Sequence, residues 1–191
     1  IPEPLMLLAG AAASTTKIRL ATTSFLLTLR HPLQAAEQVA VLDQLSEGRL
    51  ILGVGRGYAP DMLKAFHVPP AQKRRIFSWA LDIMQNAWQG KPVTLDEDEE
   101  NAVLVHPLPF QKPWPPIWVA AFGPKALAQA GKLGLPYLCS PMESMEKLKE
   151  NFDVHHSEIE LAGLKVPETV PLMRSVFVSK DQKLVNRIKL E

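Results

Sequence analysis

Three short stretches combine residue types that can do chemistry. The first is Gly53-Val54-Gly55-Arg56-Gly57-Tyr58, directly after an apolar run. Its glycines permit close backbone approach by a ligand, and Arg56 adds one guanidinium that can clamp a single phosphate bidentately. The spacing is Gly-x-Gly-x-Gly, and no acidic residue ends a following strand about 20 residues on, which disfavours a dinucleotide site. The Gly-Lys-Ser/Thr of a phosphate loop is missing too. A mononucleotide phosphate suits Arg56; a structural salt bridge is the competing reading. The second stretch is Ala121-Phe122-Gly123-Pro124, where Gly123 leaves backbone N–H groups near a helix start, a second anion site. The third is Thr22-Thr23-Ser24-Phe25, hydroxyls near the end of a β-forming run.

Other chemistries are argued against. Ser14, Ser24, Ser46 and Ser140 lack the context of a nucleophile elbow. His155-His156 falls in a helix expected to be exposed and reads as surface rather than a zinc pair. His31, before Pro32, either caps the next helix or faces the site, and His106, before Pro107, reads as structural. The acidic residues between Leu95 and Asn101 lack the Gly and alternate spacing of a calcium loop, so no metal is expected. The single cysteine, Cys139, sits in an apolar run and reads as a small buried hydrophobe. It excludes an internal disulfide, which fits a cytoplasmic setting.

Charge narrows the partners. The chain has 21 basic and 20 acidic residues, a formal net charge of +1, which gives no broad field for nucleic acid. The run Lys73-Arg74-Arg75 reads as a solvated helix face. No apolar stretch approaches the roughly 18 residues of a membrane span, and Ile1-Pro2-Glu3-Pro4 has no basic region of a signal peptide.

Helices and strands must alternate to position these groups. Leu5 to Ala13, rich in Leu and Ala, reads as a helix, and Ile18 to Leu27 as a strand. Pro32 opens a helix with Leu33, Ala36, Val39, Ala40 and Leu42 at helical spacing, and Gly48 stands just past its end. Leu50 to Val54 is apolar throughout, as in a parallel strand covered on both faces. A helix follows from Ala71 to Gln89, then a rigid connector, 107–116, with five prolines. Strands are expected at Ile117–Ala121, Tyr137–Cys139 and Thr169–Val178, with helices from Pro124 to Ala130 and from Glu143 to Ala162 between them. Five strands with helical crossovers make an α/β fold, doubly wound or barrel, whose sites lie at the C-terminal strand ends.

Several blocks, in order, resemble one family. Thr16-Lys17-Ile18-Arg19-Leu20-Ala21-Thr22, Arg30-His31-Pro32-Leu33, Leu42-Asp43-Gln44-Leu45-Ser46-Glu47-Gly48-Arg49-Leu50, Gly53-Val54-Gly55-Arg56-Gly57 and Pro115-Pro116-Ile117-Trp118-Val119-Ala120-Ala121 look like the luciferase-like monooxygenases. The Leu-Asp-Gln-Leu-Ser-x-Gly-Arg block followed by Gly-x-Gly-Arg-Gly is the specific signal. The resemblance implies a (β/α)8 TIM barrel of which residues 1–191 form a single partial domain. About five of eight strands are present, the first and last elements lie outside, and such a chain alone would expose unpaired edges.

The resemblance also implies reduced FMN, or alternatively a deazaflavin coenzyme, at the barrel mouth. Thr23-Ser24 would carry a non-prolyl cis peptide under the ring, and Arg56-Gly57 would meet the phosphate with Arg74 joining. Phe122 and Gly123 would cover the phosphate, and Ser140 would lie near the ring. Light-emitting members carry a reactive cysteine where this chain has Gly55 and a tryptophan where it has Pro141, so flavin chemistry without luminescence is implied. The implied activity is a monooxygenase using reduced FMN and oxygen on a small organic substrate; the alternatives are a deazaflavin-dependent dehydrogenase or reductase, and a non-catalytic flavin-binding relative. The flavin rather than the protein supplies the oxygen chemistry, and no residue here is assigned as acid or base. A flavin reductase supplying reduced FMN, and homodimerisation through the helices Leu5–Ala13 and Pro32–Ser46, complete what the family implies.

Overall fold

The structure, a computed structural model, describes residues 3–95 and 101–188. Its centre is β3, Leu50–Gly55, buried along its whole length. The pairings among its five strands are parallel, and an isolated antiparallel bridge joins Val93 and Val103. Strand β1 (Leu20–Ala21) and strand β2 (Phe25–Leu26) lie along one edge of β3, pairing Leu20 with Leu50 and Phe25 with Val54. Strand β4 (Ile117–Ala120) takes the other edge, with Leu52 opposite Ile117, and β5 (Tyr137–Leu138) pairs β4. A continuous apolar strand with partners on both sides is what burial on both faces demands.

Helix α1 spans Pro4–Ser14, α2 Pro32–Leu45, α3 Pro60–Ala65, α4 Lys73–Trp88, α5 Pro124–Lys132, α6 Met145–Leu161 and α7 Gln182–Ile188. Helices α2 and α4 cover the sheet through Ala36, Val39, Ala40, Phe77, Leu81 and Met84, all essentially buried. Trp88 closes that layer, its indole N–H donating to the Ala36 carbonyl at 2.9 Å. A buried indole needs such an acceptor.

The most specific sequence block proves to be structural. Asp43 is fully buried, and its carboxylate accepts from the Gln111 amide N and from Gln111 Nε2, each at 2.8 Å. That pins the proline-rich connector onto the α2–β3 turn. Gly48 has φ +78°, and a Cβ there would lie 2.9 Å from the Phe110 ring. Arg49 donates to Ser46 O, Thr15 Oγ1, Ile18 O and Ala12 O, tying the same turn to the end of α1.

Four expectations are corrected. The strand expected over Ile18–Leu27 is two short strands separated at Thr22–Ser24 and followed by a 3-10 turn, Leu27–Leu29. There Thr22 Oγ1 donates to Gly53 O at 2.7 Å, and a Cβ on Gly53 would sit 2.0 Å from Thr22 O. The strand expected over Thr169–Val178 survives only as a bridge between Leu172 and Cys139. Strand β5 is two residues long, so the β-formers Val176 and Val178 find no ladder and stay exposed. Helices α3 and α7 go beyond the elements expected; the local signals of α3 are Pro60 at its first turn, Asp61 beside it and Lys64 in its last turn. His155 is not a surface residue: it is 1% exposed, with Nε2 2.8 Å from the Leu135 carbonyl. A Cβ on Gly131 would meet His155 O at 2.6 Å, so α5 and α6 approach closely and bury that ring between them. The acidic run read as a surface loop falls at 96–100, outside the described residues. No helix among the described residues is long and apolar enough to cross a membrane.

Candidate functional site

The C-terminal ends of β2 to β5 open on one cavity of about 510 Å³. Its floor is set by glycine. A Cβ on Gly55 would lie 2.5 Å from Ser24 Oγ, so a side chain there would have to displace the Ser24 hydroxyl from the end of β3. The Thr23–Ser24 peptide is cis, and both residues line the cavity. Gly57, with φ +71°, adopts a turn that packs against Met62 and Leu63 and keeps Tyr58 and Ala59 in the cavity wall.

Arg56 follows directly and is half-buried. Its carbonyl accepts from Thr28 Oγ1 at 2.8 Å and its Nη1 donates to Gln129 Oε1 at 3.0 Å. Burial, with the charge of Arg74, holds its guanidinium below its ordinary pKa, and an arginine remains charged even so. Lys73 also lines the cavity, with Nζ 3.4 Å from Gly57 O. At the rim Phe122 is exposed and meets Tyr58 edge-on, ring centroids 6.3 Å apart.

Ser140 forms the wall beyond β5 and is 7% exposed. Its amide donates to Glu143 Oε2 at 2.7 Å, and its carbonyl accepts from Arg174 Nη1 at 2.9 Å. Cys139, just before it, is buried. Burial and the nearby Glu143 push its thiol up to about 11, so it stays protonated at neutral pH and is no nucleophile.

Six of the residues singled out from the sequence thus line one cavity: Thr23, Ser24, Arg56, Gly57, Phe122 and Ser140. Arg74 and Gly123 do not. Arg74 lies in an adjoining groove of about 420 Å³ with Ser78, Lys125, Gln129 and Lys132, linked to Arg56 through Gln129, whose Nε2 donates to Arg74 O at 3.0 Å. Gly123, φ +78°, caps α5, its carbonyl accepting from Ala126 and Leu127. His31 stands at the start of α2, exposed, with no capping bond and no place in the cavity wall. Sequence reasoning missed Leu26, Met62, Lys73 and Met173 as wall residues, and Glu143, Gln129 and Arg174 as their supports. Lys73 belongs to the run read as a solvated helix face, of which Arg74 and Arg75 are exposed but Lys73 lines the cavity. The others carry no local motif, and all meet because β2, α3, α4, α5, the turn after β5 and the 171–174 segment come to one end. Among the described residues no group of three His, Cys, Asp or Glu side chains is placed to hold a metal.

Comparison with known proteins bears on this site. The family model for luciferase-like monooxygenases matches residues 1–187. Limonene 1,2-monooxygenase of Rhodococcus erythropolis is 30% identical over 159 residues, 81% of this chain and 41% of that protein. An F420-dependent glucose-6-phosphate dehydrogenase of Beutenbergia cavernae is 34% identical over 154 residues, 78% of this chain and 45% of that protein. The oxygenating constituent of 3,6-diketocamphane monooxygenase from Pseudomonas putida, solved in complex with FMN, superposes with TM-score 0.83 at 25% identity, covering 100% of this chain and 57% of that one. The chain spans about half the length of the curated relatives it matches, 45% and 54% of two of them.

Proposed function

Because this chain belongs to the luciferase-like monooxygenase family, we propose that it forms part of a (β/α)8 barrel monooxygenase using reduced FMN and molecular oxygen on a small organic substrate. One observation carries the reading. A charged, half-buried Arg56 stands at the mouth of a cavity of about 510 Å³ whose other walls are largely apolar. A planar ring needs apolar walls with a few fixed polar groups, and a phosphate monoester needs a guanidinium.

The residues present fit the cofactor. Thr23, Ser24 and Ser140 would run along the ring, and Arg56 and Gly57 would meet the phosphate. Arg74 and Gly123, outside the cavity wall, would act on the phosphate through charge and through the start of α5. Bound flavin supplies the redox and oxygen chemistry. The protein's own part is to grip, orient and exclude water. Arg56, held by Gln129, fixes the anionic end. Phe122 and Tyr58, edge to face at the rim, are suited to shutting water out of the mouth. A flavin reductase would deliver reduced FMN. A second copy would pair on α1 and α2, where Met6, Leu7, Val41 and Leu45 are exposed.

The second reading, a deazaflavin-dependent dehydrogenase, is favoured by the 34% identical F420-dependent relative. Absorbance of bound cofactor separates the two, since a deazaflavin absorbs at shorter wavelength than FMN. Purified full-length protein is expected to bind FMN saturably and to consume oxygen in step with substrate. Binding of the deazaflavin alone would move the protein to the dehydrogenase reading, and binding of neither would overturn both.

A further inference from the structure

Ser140 is held more tightly than a wall residue requires. Glu143 Oε2 takes its amide N–H, Arg174 Nη1 donates to its carbonyl, and the Met142 amide donates to its Oγ at 3.2 Å. Glu143 is gripped in turn. The Tyr137 hydroxyl donates to the carboxylate at 2.6 Å, Asn151 Nδ2 donates to it at 2.7 Å, and Asn151 also reaches the Tyr137 oxygen at 3.1 Å. Tyr137 and Asn151 are 1% and 3% exposed. Burial and the bond to Glu143 raise the Tyr137 pKa, so the phenol keeps its proton and donates it.

A carboxylate drawn out of water is costly unless its lone pairs are filled, and here they are filled by three residues. The effect of that arrangement falls on Ser140. Its backbone is fixed on both sides and its hydroxyl oxygen already accepts, which leaves the hydroxyl proton as the polar group still to be given. Among the described residues no acceptor takes it. Arg174 also donates to Met173 O at 2.9 Å, and Met173 lines the same cavity, so one guanidinium fixes two wall residues.

We propose that Glu143 and Arg174 are positioning residues that clamp Ser140 so that its hydroxyl donates a hydrogen bond to the flavin ring in the cavity. The inference rests on reading that cavity as the cofactor site. Full-length protein carrying Ser140→Ala, Glu143→Gln or both is titrated with FMN, following affinity and the visible absorption band of the bound flavin. Ser140→Ala is expected to weaken binding about three- to tenfold, the worth of one hydrogen bond, and to shift the band. Glu143→Gln reproduces both changes, and the double variant is no worse than Ser140→Ala, because Glu143 acts through Ser140. Arg174→Met, at a partly exposed site, repeats the comparison if Glu143→Gln does not fold. An unchanged affinity and band in Ser140→Ala, or losses that add in the double variant, would overturn the proposal while FMN binding stands. Failure of the unaltered protein to bind FMN is read before any substitution; it overturns the cofactor reading and this inference with it.

Discussion

Arg56 and Gln129 are joined by a 3.0 Å hydrogen bond between the end of β3 and the middle of α5. The amide is itself fixed, its Nε2 donating to Arg74 O at 3.0 Å and to Ser78 Oγ at 2.7 Å. One edge of the guanidinium is thus aimed by α4 and α5, and among the described residues no other acceptor takes an Arg56 N–H. A preorganised arginine loses less freedom when it meets an anion. Gln129→Leu is therefore expected to weaken FMN binding by about 0.5–1.5 kcal/mol, measured by calorimetric titration. An unchanged affinity would mean that Gln129 does not set the arginine.

Gly55 should not tolerate a side chain. The added Cβ of Gly55→Ala would meet Ser24 Oγ at 2.5 Å, against a short segment that also lines the cavity. The expected loss is about 1–3 kcal/mol of stability, read by urea denaturation, together with weaker FMN binding. A stable variant with full affinity would show that Ser24 can move without consequence.

Asp43 and Gln111 form the tie between α2 and the proline-rich connector. Asp43→Asn puts an amide N–H₂ where both partners are donors, leaving a buried group unpaired. A loss of about 1–3 kcal/mol follows, with little change in FMN affinity, since neither residue lines the cavity. Chemical denaturation beside an FMN titration checks both halves.

His155 makes stability depend on pH. Burial, with His156 nearby, lowers its pKa, and its Nε2–H donates to Leu135 O while Nδ1 is buried with no partner among the described residues. The fold accommodates the neutral ring, so the unfolded chain takes up the proton first as pH falls below about 6.5. The stability tied to the neutral ring is complete above that pH and is lost as pH falls toward the lower folded-state value. Melting temperatures of the wild type should drop more steeply between about pH 7 and pH 5 than those of His155→Gln, whose amide can still donate to Leu135 O. Parallel curves would contradict this.

What the sequence disclosed follows from what is local. Leu50–Val54 reads as a buried parallel strand because every position is apolar or glycine, and the strand there runs Leu50–Gly55. Glycine with arginine at its end marks the mouth of the sheet for the same reason. The 169–178 segment has strand-forming residues, yet a strand also needs a partner, and partner length is not written in those residues. His155 looked exposed because a polar pair on a helix resembles a solvent face; the close approach at Gly131 that buries it comes from α5, 24 residues earlier in the chain (155 − 131). Glu143 and Arg174 gave no signal because their role depends on the 171–174 segment returning to β5.

The account turns on Arg56 gripping a phosphate, and a paired titration tests it. FMN and riboflavin, which lacks the phosphate, are each titrated into full-length wild-type protein and into Arg56→Ala. The account predicts that the substitution weakens FMN by about 1.5–3 kcal/mol, the worth of hydrogen bonds to a charged group, and leaves riboflavin nearly unchanged. Equal losses for both ligands, or no loss for FMN, would contradict it.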